Sequence, residues 1–226
     1  DCLVHDNDGT GINVYAGSII EGCYSASNGK KGIEAEDGCL LTSNKVFYSG
    51  EDGIDVHGDS SIFDSASRWN TGDGIYASFT STVIGNTSYQ NGISGIYCGS
   101  YCTILNNSAM RNDSYGIGSS YGCLMCSNSV GYNNLDDESN RGGLRAYSGG
   151  LIKSNTATNN RKSNVYVFSS DNAVEDNLAT DSSGYGVYFR TTGNYYSQNR
   201  ASGNATSNYG GNVPSGSGDG GGNYSF

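Results

Sequence analysis

The sequence predicts an all-β parallel solenoid, a chain wound into repeated coils of short strands. Three observations carry this reading: a period of 21 residues, alternation of apolar and polar positions within it, and columns of asparagine recurring once per period. Gly-Ile occurs at Gly11-Ile12, Gly32-Ile33, Gly53-Ile54, Gly74-Ile75, Gly95-Ile96 and Gly116-Ile117, each 21 residues after the last. The phase then slips by six residues to Gly143-Leu144, resumes at Asn164-Val165 and returns one residue late at Gly186-Val187, which makes nine coils.

The first strand of each coil starts at that pair. Its inward positions read Ile12, Ile33, Ile54, Ile75, Ile96, Ile117, Leu144, Val165 and Val187, then, two residues on, Val14, Ala35, Val56, Ala77, Cys98, Ser119, Ala146, Val167 and Phe189. A period of two is that of a strand with one buried face. The second strand carries an apolar pair, from Ile19-Ile20 and Leu40-Leu41 through Leu151-Ile152 to Tyr195-Tyr196. The third has one small inward residue per coil, among them Val46, Ser67, Ser88, Ala109, Val130 and Ala157. No helical stretch separates them, so each period is one solenoid coil.

Between the second and third strands stands a polar column: Asn44, Ser65, Asn86, Asn107, Asn128, Asn155, Asn177 and Asn199. At a coil spacing of about 4.8 Å each amide reaches the one below and satisfies turn groups that burial would leave unpaired. A second column, Asn28, Ser49, Asn70, Asn91, Asn112, Asn133, Asn160 and Asn204, precedes the next coil's glycine, where turns need residues that tolerate left-handed backbone. Both columns read as architecture.

Composition agrees. The chain has 226 residues with 35 Gly, 26 Asn and one Pro, and only 35% are hydrophobic. So lean a chain builds a core only if the same few buried positions recur. The net charge of −10 excludes the basic footprint that non-specific nucleic-acid binding needs. No apolar run approaches the roughly 18 residues of a membrane span. Asp1 opens no leader segment, so any export signal is expected to precede it, and the expected location is extracellular or on the cell surface.

The repeat, over about residues 11 to 205, resembles the right-handed parallel β-helix repeats of the pectate-lyase-like superfamily. That resemblance implies a single-stranded right-handed parallel β-helix of about nine coils of 21–22 residues. It also implies that ligands lie along the exposed face of the Gly-Ile strand. The outward residues there divide in two. Glu34, Glu36, Asp55, His57 and Asp59 cluster in the N-terminal half, with Asp37, Asp52 and Asp73 on adjoining turns. The C-terminal half is an aromatic stripe with two arginines: Tyr76, Tyr97, Arg145, Tyr147, Tyr166, Tyr188 and Arg190. Aromatic faces beside planar guanidinium forks suit sugar rings and their carboxylates. The alternative is that these tyrosines stack on their cross-strand neighbours.

The segment Asp52-Gly53-Ile54-Asp55-Val56-His57-Gly58-Asp59 resembles the Tyr-Gly-Phe-Asp-Pro-His segment of alginate (mannuronan) C5-epimerases. The resemblance implies that Asp55 holds or neutralises a uronate carboxylate and that His57 transfers the proton. The family's tyrosine position is Asp52 here, and its second acidic position, one coil later, is Ser78. Independently, Glu34, Glu36, Asp55 and Asp59 could supply oxygens to a calcium ion from two stacked coils; the alternative is a solvated acidic patch. His5 reads as a surface residue.

Seven cysteines suggest an oxidising compartment. Cys2 and Cys23 stand one coil apart where the asparagine column would be, and Cys102 and Cys123 share another column. Each pair could be a disulfide or two stacked thiols. Cys123-x-x-Cys126 beside Cys98 and Cys102 lies on repeating strands, which does not converge ligands as zinc requires.

The six-residue excess falls near Leu135 to Asn140 and includes Asp136, Asp137 and Glu138, a loop expected to border the ligand face. Residues 1–206 read as the solenoid domain and 207–226 as a Gly/Ser-rich tail over the last coil. Residues 1–10 read as the end of an earlier coil, an uncapped edge open to another subunit or to more chain. The expected function is polysaccharide binding or modification; the alternative is a non-catalytic structural or adhesive solenoid.

Overall fold

The computed structural model describes residues 1–135 and 142–225, so the acidic part of the expected insertion, Asp136 to Asn140, lies outside the described residues. Three parallel sheets run the length of a solenoid. The Gly-Ile strands form a ten-stranded sheet from Ile12–Val14 to Ser207–Gly211. The paired-apolar strands form a nine-stranded sheet from Ile19–Glu21 to Tyr195–Ser197, and the small-residue strands an eleven-stranded sheet from Leu3–His5 to Tyr224–Ser225. Among the described residues there is no α-helix.

Each residue pairs with its own copy one coil on: Ile54 with Ile75, Ile75 with Ile96. The phase slip does not disturb this, since Ile117 pairs with Leu144 and the extra residues leave the ladder between strands. Among the described residues the coils number about ten, where the sequence period gives about nine. Ser207–Gly211, which breaks the sequence period, pairs with Tyr185–Phe189 and sets Tyr209 opposite Val187. Tyr209 packs on the end of the core, and its hydroxyl donates to the Asn199 carbonyl at 2.8 Å.

The core is a file of the predicted inward residues, with Ile33, Ile54, Ile75, Ile96, Ile117, Leu144, Val165 and Val187 all fully buried. Beside it the amide ladders close the turns. The Asn86 backbone N–H donates to Asn107 Oδ1 at 2.9 Å, and the Asn86 Nδ2 donates to the same oxygen at 3.1 Å. The pattern repeats from Asn107 to Asn128, Asn155, Asn177 and Asn199. The second column behaves likewise from Asn70 through Asn91 and Asn112 to Asn133 and Asn160. Buried serines of the third strand are satisfied too: Ser67 Oγ donates to the Gly74 carbonyl at 2.6 Å and Ser88 Oγ to Gly95 at 2.7 Å.

That bond shows why the repeat opens on glycine. A Cβ at Gly74 would stand 2.6 Å from the Gly95 carbonyl and 2.5 Å from Asn91 Nδ2, so coils could not stack at strand spacing.

Of the two readings of the cysteines, the structure has thiols: all seven are free. Cys102 and Cys123 do share a column, and the Cys102 N–H donates to Cys123 Sγ at 3.3 Å, so sulfur takes the place that asparagine oxygen holds elsewhere. The Cys123 thiol favours the Cys102 thiolate, but hydrogen bonding to Cys98 and burial outweigh it and push Cys102 up to about 12. Such a thiol is unreactive at neutral pH.

Candidate functional site

The outward face of the Gly-Ile sheet is one column of side chains in strict register. Glu34 pairs with Asp55, Asp55 with Tyr76, Tyr76 with Tyr97, Tyr97 with Gly118, Gly118 with Arg145, Arg145 with Tyr166 and Tyr166 with Tyr188. A parallel column two residues on carries Glu36, His57, Ser78, Tyr147, Phe168 and Arg190. The acidic half and the aromatic half therefore lie on one surface, because the period places every copy above the last.

At the acidic end Asp55 is buried, 7% exposed, although it stands on the outward face. The cause is Lys31, from the turn before the preceding Gly-Ile strand. Its ammonium bonds Asp55 Oδ2 at 2.5 Å and Glu34 Oε1 at 2.6 Å. Burial opposes the ammonium charge, but the hydrogen bonds to Asp55 and then Glu34 outweigh it and hold the amine above its ordinary range. The other Asp55 oxygen, Oδ1, is buried and has no hydrogen-bond partner. Lys31 and Glu34 border a surface cavity of about 550 Å³.

His57 is exposed, two residues beyond Asp55 on the same face, and among the described residues its side chain makes no hydrogen bond or ion pair. Tyr76 is half-buried; burial, and then the Asp55 charge, hold its phenol above the ordinary range and so protonated. Asp52 and Asp73 face the backbone instead. The Asp73 N–H donates to Asp52 Oδ1 and the Ser94 N–H to Asp73 Oδ1, both at 2.6 Å, forming a carboxylate version of the amide ladders.

The four residues expected to suit calcium are not brought together. Glu34 and Asp55 share Lys31, Glu36 Oε2 accepts the Ala16 N–H at 3.3 Å, and Asp59 Oδ1 accepts the Thr80 hydroxyl. Among the described residues no group of three or more His, Cys, Asp or Glu side chains is placed to hold a metal ion.

In the aromatic half the rings engage one another. Tyr76 stacks on Tyr97, with centroids 5.9 Å apart, Tyr147 on Phe168 at 4.9 Å and Tyr166 on Tyr188 at 5.5 Å. Arg145 spreads over Phe168, Tyr115 and Tyr147 at 4.9–5.5 Å, and Arg190 lies 4.0 Å from the Phe168 centroid. Arg145 Nε is buried without a hydrogen-bond partner, a second unmet polar group on this face. Tyr166 and Tyr188 also line a surface cavity of about 420 Å³. Sequence reasoning places Phe168 on the outward face after Tyr166 without naming it as a sugar contact, and it missed Lys31. Lys31 carries no signal, because it meets Asp55 across 24 residues, outside the 21-residue arithmetic.

Residues 10–150 match the family model described as "Right handed beta helix region". No curated protein matches the sequence. Among solved structures the chain is similar to the A-module of the Azotobacter vinelandii mannuronan C-5 epimerase AlgE6, at 16% identity and a TM-score of 0.66, covering 95% of this chain and 63% of that one. It is similar also to the catalytic unit of the GH87 α-1,3-glucanase of Streptomyces thermodiastaticus strain HF3-3, at 19% and 0.69, covering 97% and 50%. Pectate lyase Pel9A follows at 16% and 0.56, covering 78% and 58%. The chain thus spans only 50–63% of the length of these structures, and at such identities the likeness is one of fold.

Proposed function

The chain belongs to the right-handed beta helix family, and from that premise we propose that it binds a uronate-containing polysaccharide along the outward Gly-Ile face and removes the proton alpha to the uronate carboxylate. The observation that carries the reading is the unpartnered Asp55 Oδ1, buried on the outward side of a solenoid whose other buried groups are almost all satisfied. Leaving such an oxygen unpaired costs about 1–3 kcal/mol unless a ligand supplies the donor.

The remaining roles follow from position. Lys31 has three ammonium hydrogens and spends two on Glu34 and Asp55, so one remains for the substrate carboxylate. Neutralising that carboxylate acidifies the alpha proton, and His57, exposed on the same face, is the base that takes it. Tyr76, held protonated, donates a proton to the opposite face of the same carbon and yields the epimer. If the carbanion instead expels its 4-linked neighbour, an unsaturated uronate results. The aromatic stripe with Arg145 and Arg190 holds the rest of the chain. Secretion fits such a substrate.

The test is incubation with polymannuronate, polyguluronate and polygalacturonate in D₂O. Deuterium incorporation at C5, or ultraviolet absorbance of an unsaturated product, both lost in His57→Gln, supports the reading. Neither signal with any polyuronate refutes the chemistry. A second reading, a non-catalytic structural solenoid, is favoured by the mutual stacking of the stripe, which uses the ring faces a sugar would need.

A further inference from the structure

A second aromatic cluster stands on a different wall, where the small-residue sheet turns toward the next coil. Tyr24, Phe47, Tyr48, Trp69 and Tyr89 contact one another with centroids 5.1–6.3 Å apart. At its centre Tyr48 and Trp69, one coil apart, stack nearly parallel, 9° between rings. The indole is held in place, its Nε1 donating to Gln90 Oε1 at 3.0 Å. These rings contribute nothing to the core: Tyr48 is 56% exposed and Trp69 39%.

The turn itself disfavours them. Both residues have left-handed backbone, φ 54° at Tyr48 and 57° at Trp69, a conformation costly for a bulky side chain. The same column also holds Asp6, Gln90, Arg111, Tyr132, Asp181 and Gly203 in that conformation, so the turn imposes it on small, polar and bulky residues alike. In the coil preceding Tyr48 the column residue is Ser27, too small to cover the ring. The stack therefore ends at Tyr48 beside a surface cavity of about 600 Å³, whose rim includes Asp6, Asn7, Asp8 and Ser27.

We propose that this cavity is a binding subsite for a neutral hexopyranose unit of a polysaccharide, stacked on the uncovered face of Tyr48 with its hydroxyls donating to Asp6 and Asp8. An apolar ring face bordered by hydrogen-bond acceptors matches a sugar, which is apolar on its ring face and polar at its edge. Charge selects within the sugars. The rim carries Asp8 and Asp6, whose Oδ2 is taken by His5 Nδ1 at 2.7 Å, and no lysine or arginine lines it, so the carboxylates disfavour uronates and sulfated sugars. This subsite is separate from the Gly-Ile face, and its occupation does not depend on the chemistry proposed there.

The chain's single tryptophan is Trp69, so its emission reports this site alone. The experiment titrates the whole chain with laminarihexaose, cellohexaose, mannohexaose and hexagalacturonate, following tryptophan fluorescence. A saturable change with at least one neutral hexasaccharide, absent with hexagalacturonate, is expected. Tyr48→Ala should weaken it at least tenfold, measured against the variant's own Trp69 baseline, while leaving circular dichroism in place. Tyr147→Ala, on the Gly-Ile face, should leave it unchanged. The proposal is overturned if no neutral hexasaccharide changes the emission, if hexagalacturonate does so equally, or if Tyr48→Ala binds like the parent.

Discussion

The ladder that Asp52 and Asp73 form on the turn before the Gly-Ile strand performs with carboxylates what asparagine does elsewhere, and the charge has a cost. Burial pushes the Asp73 carboxyl up from 3.8 to about 6, against the opposing hydrogen bond from the Ser94 N–H and with help from the Asp52 charge. A group whose folded value lies above its unfolded value binds more protons when folded, so stability falls as pH rises between the two. The penalty is absent below about pH 4 and fully developed above about pH 6. The gap of about two units at 1.36 kcal/mol each makes it about 3 kcal/mol at neutral pH. Asp73→Asn keeps the oxygen that accepts the Ser94 N–H and removes the charge. Urea denaturation followed by circular dichroism should show Asp73→Asn more stable at neutral pH by up to about 3 kcal/mol, with the m-value unchanged. Parent and variant should converge below about pH 4. A variant no more stable at neutral pH, or one whose gain is the same in acid, would refute the reasoning.

Three further expectations concern the fold and the ion pair. Asn107→Ala removes the acceptor of the Asn86 N–H and the donor to the Val83 carbonyl, both buried, and should cost roughly 2–6 kcal/mol in the same denaturation assay. Gly74→Ala forces a methyl against the Gly95 carbonyl and should lower stability by about 1–3 kcal/mol, read as a fall in Tm, although Gly74 is not left-handed. Lys31→Met leaves Glu34 and Asp55 facing each other without a cation. It should destabilise the chain at neutral pH, read as a fall in the urea midpoint. On the alkaline side the parent's ion-pair contribution, resting on a lysine raised above 10.5, should persist through the neutral range and fade in strong alkali.

The fold was legible because a solenoid converts sequence distance into spatial distance. A residue 21 positions on is the neighbour above, so inward files, amide ladders and the outward face can be read from a period alone. Legibility fails where contacts leave that arithmetic. Lys31 reaches Asp55 diagonally, and nothing about a lysine in a turn marks which carboxylate it will meet. Ser207–Gly211 lacks the Gly-Ile pair, with Asn208-Tyr209 in its place, yet the exposed edge of Tyr185–Phe189 offers backbone groups to any strand that follows. The Tyr48 and Trp69 stack was invisible for another reason: its residues share a column with Ser, Gln and Arg, so no conserved chemistry runs along it. For the cysteines, sequence placed the columns, but a shared column is equally compatible with a bond or with two thiols.

The central claim is that the outward Gly-Ile face binds a uronate polysaccharide, and a glycan array read with and without calcium tests it most directly, with the parent beside Tyr147→Ala and Asp55→Asn. Binding to uronate-containing glycans that Tyr147→Ala abolishes and Asp55→Asn weakens is expected, because the first removes a ring of the stripe and the second alters the carboxylate that meets the ligand. Binding that survives Tyr147→Ala unchanged, or no binding to any acidic glycan, would contradict it and leave the structural solenoid as the better description of this face.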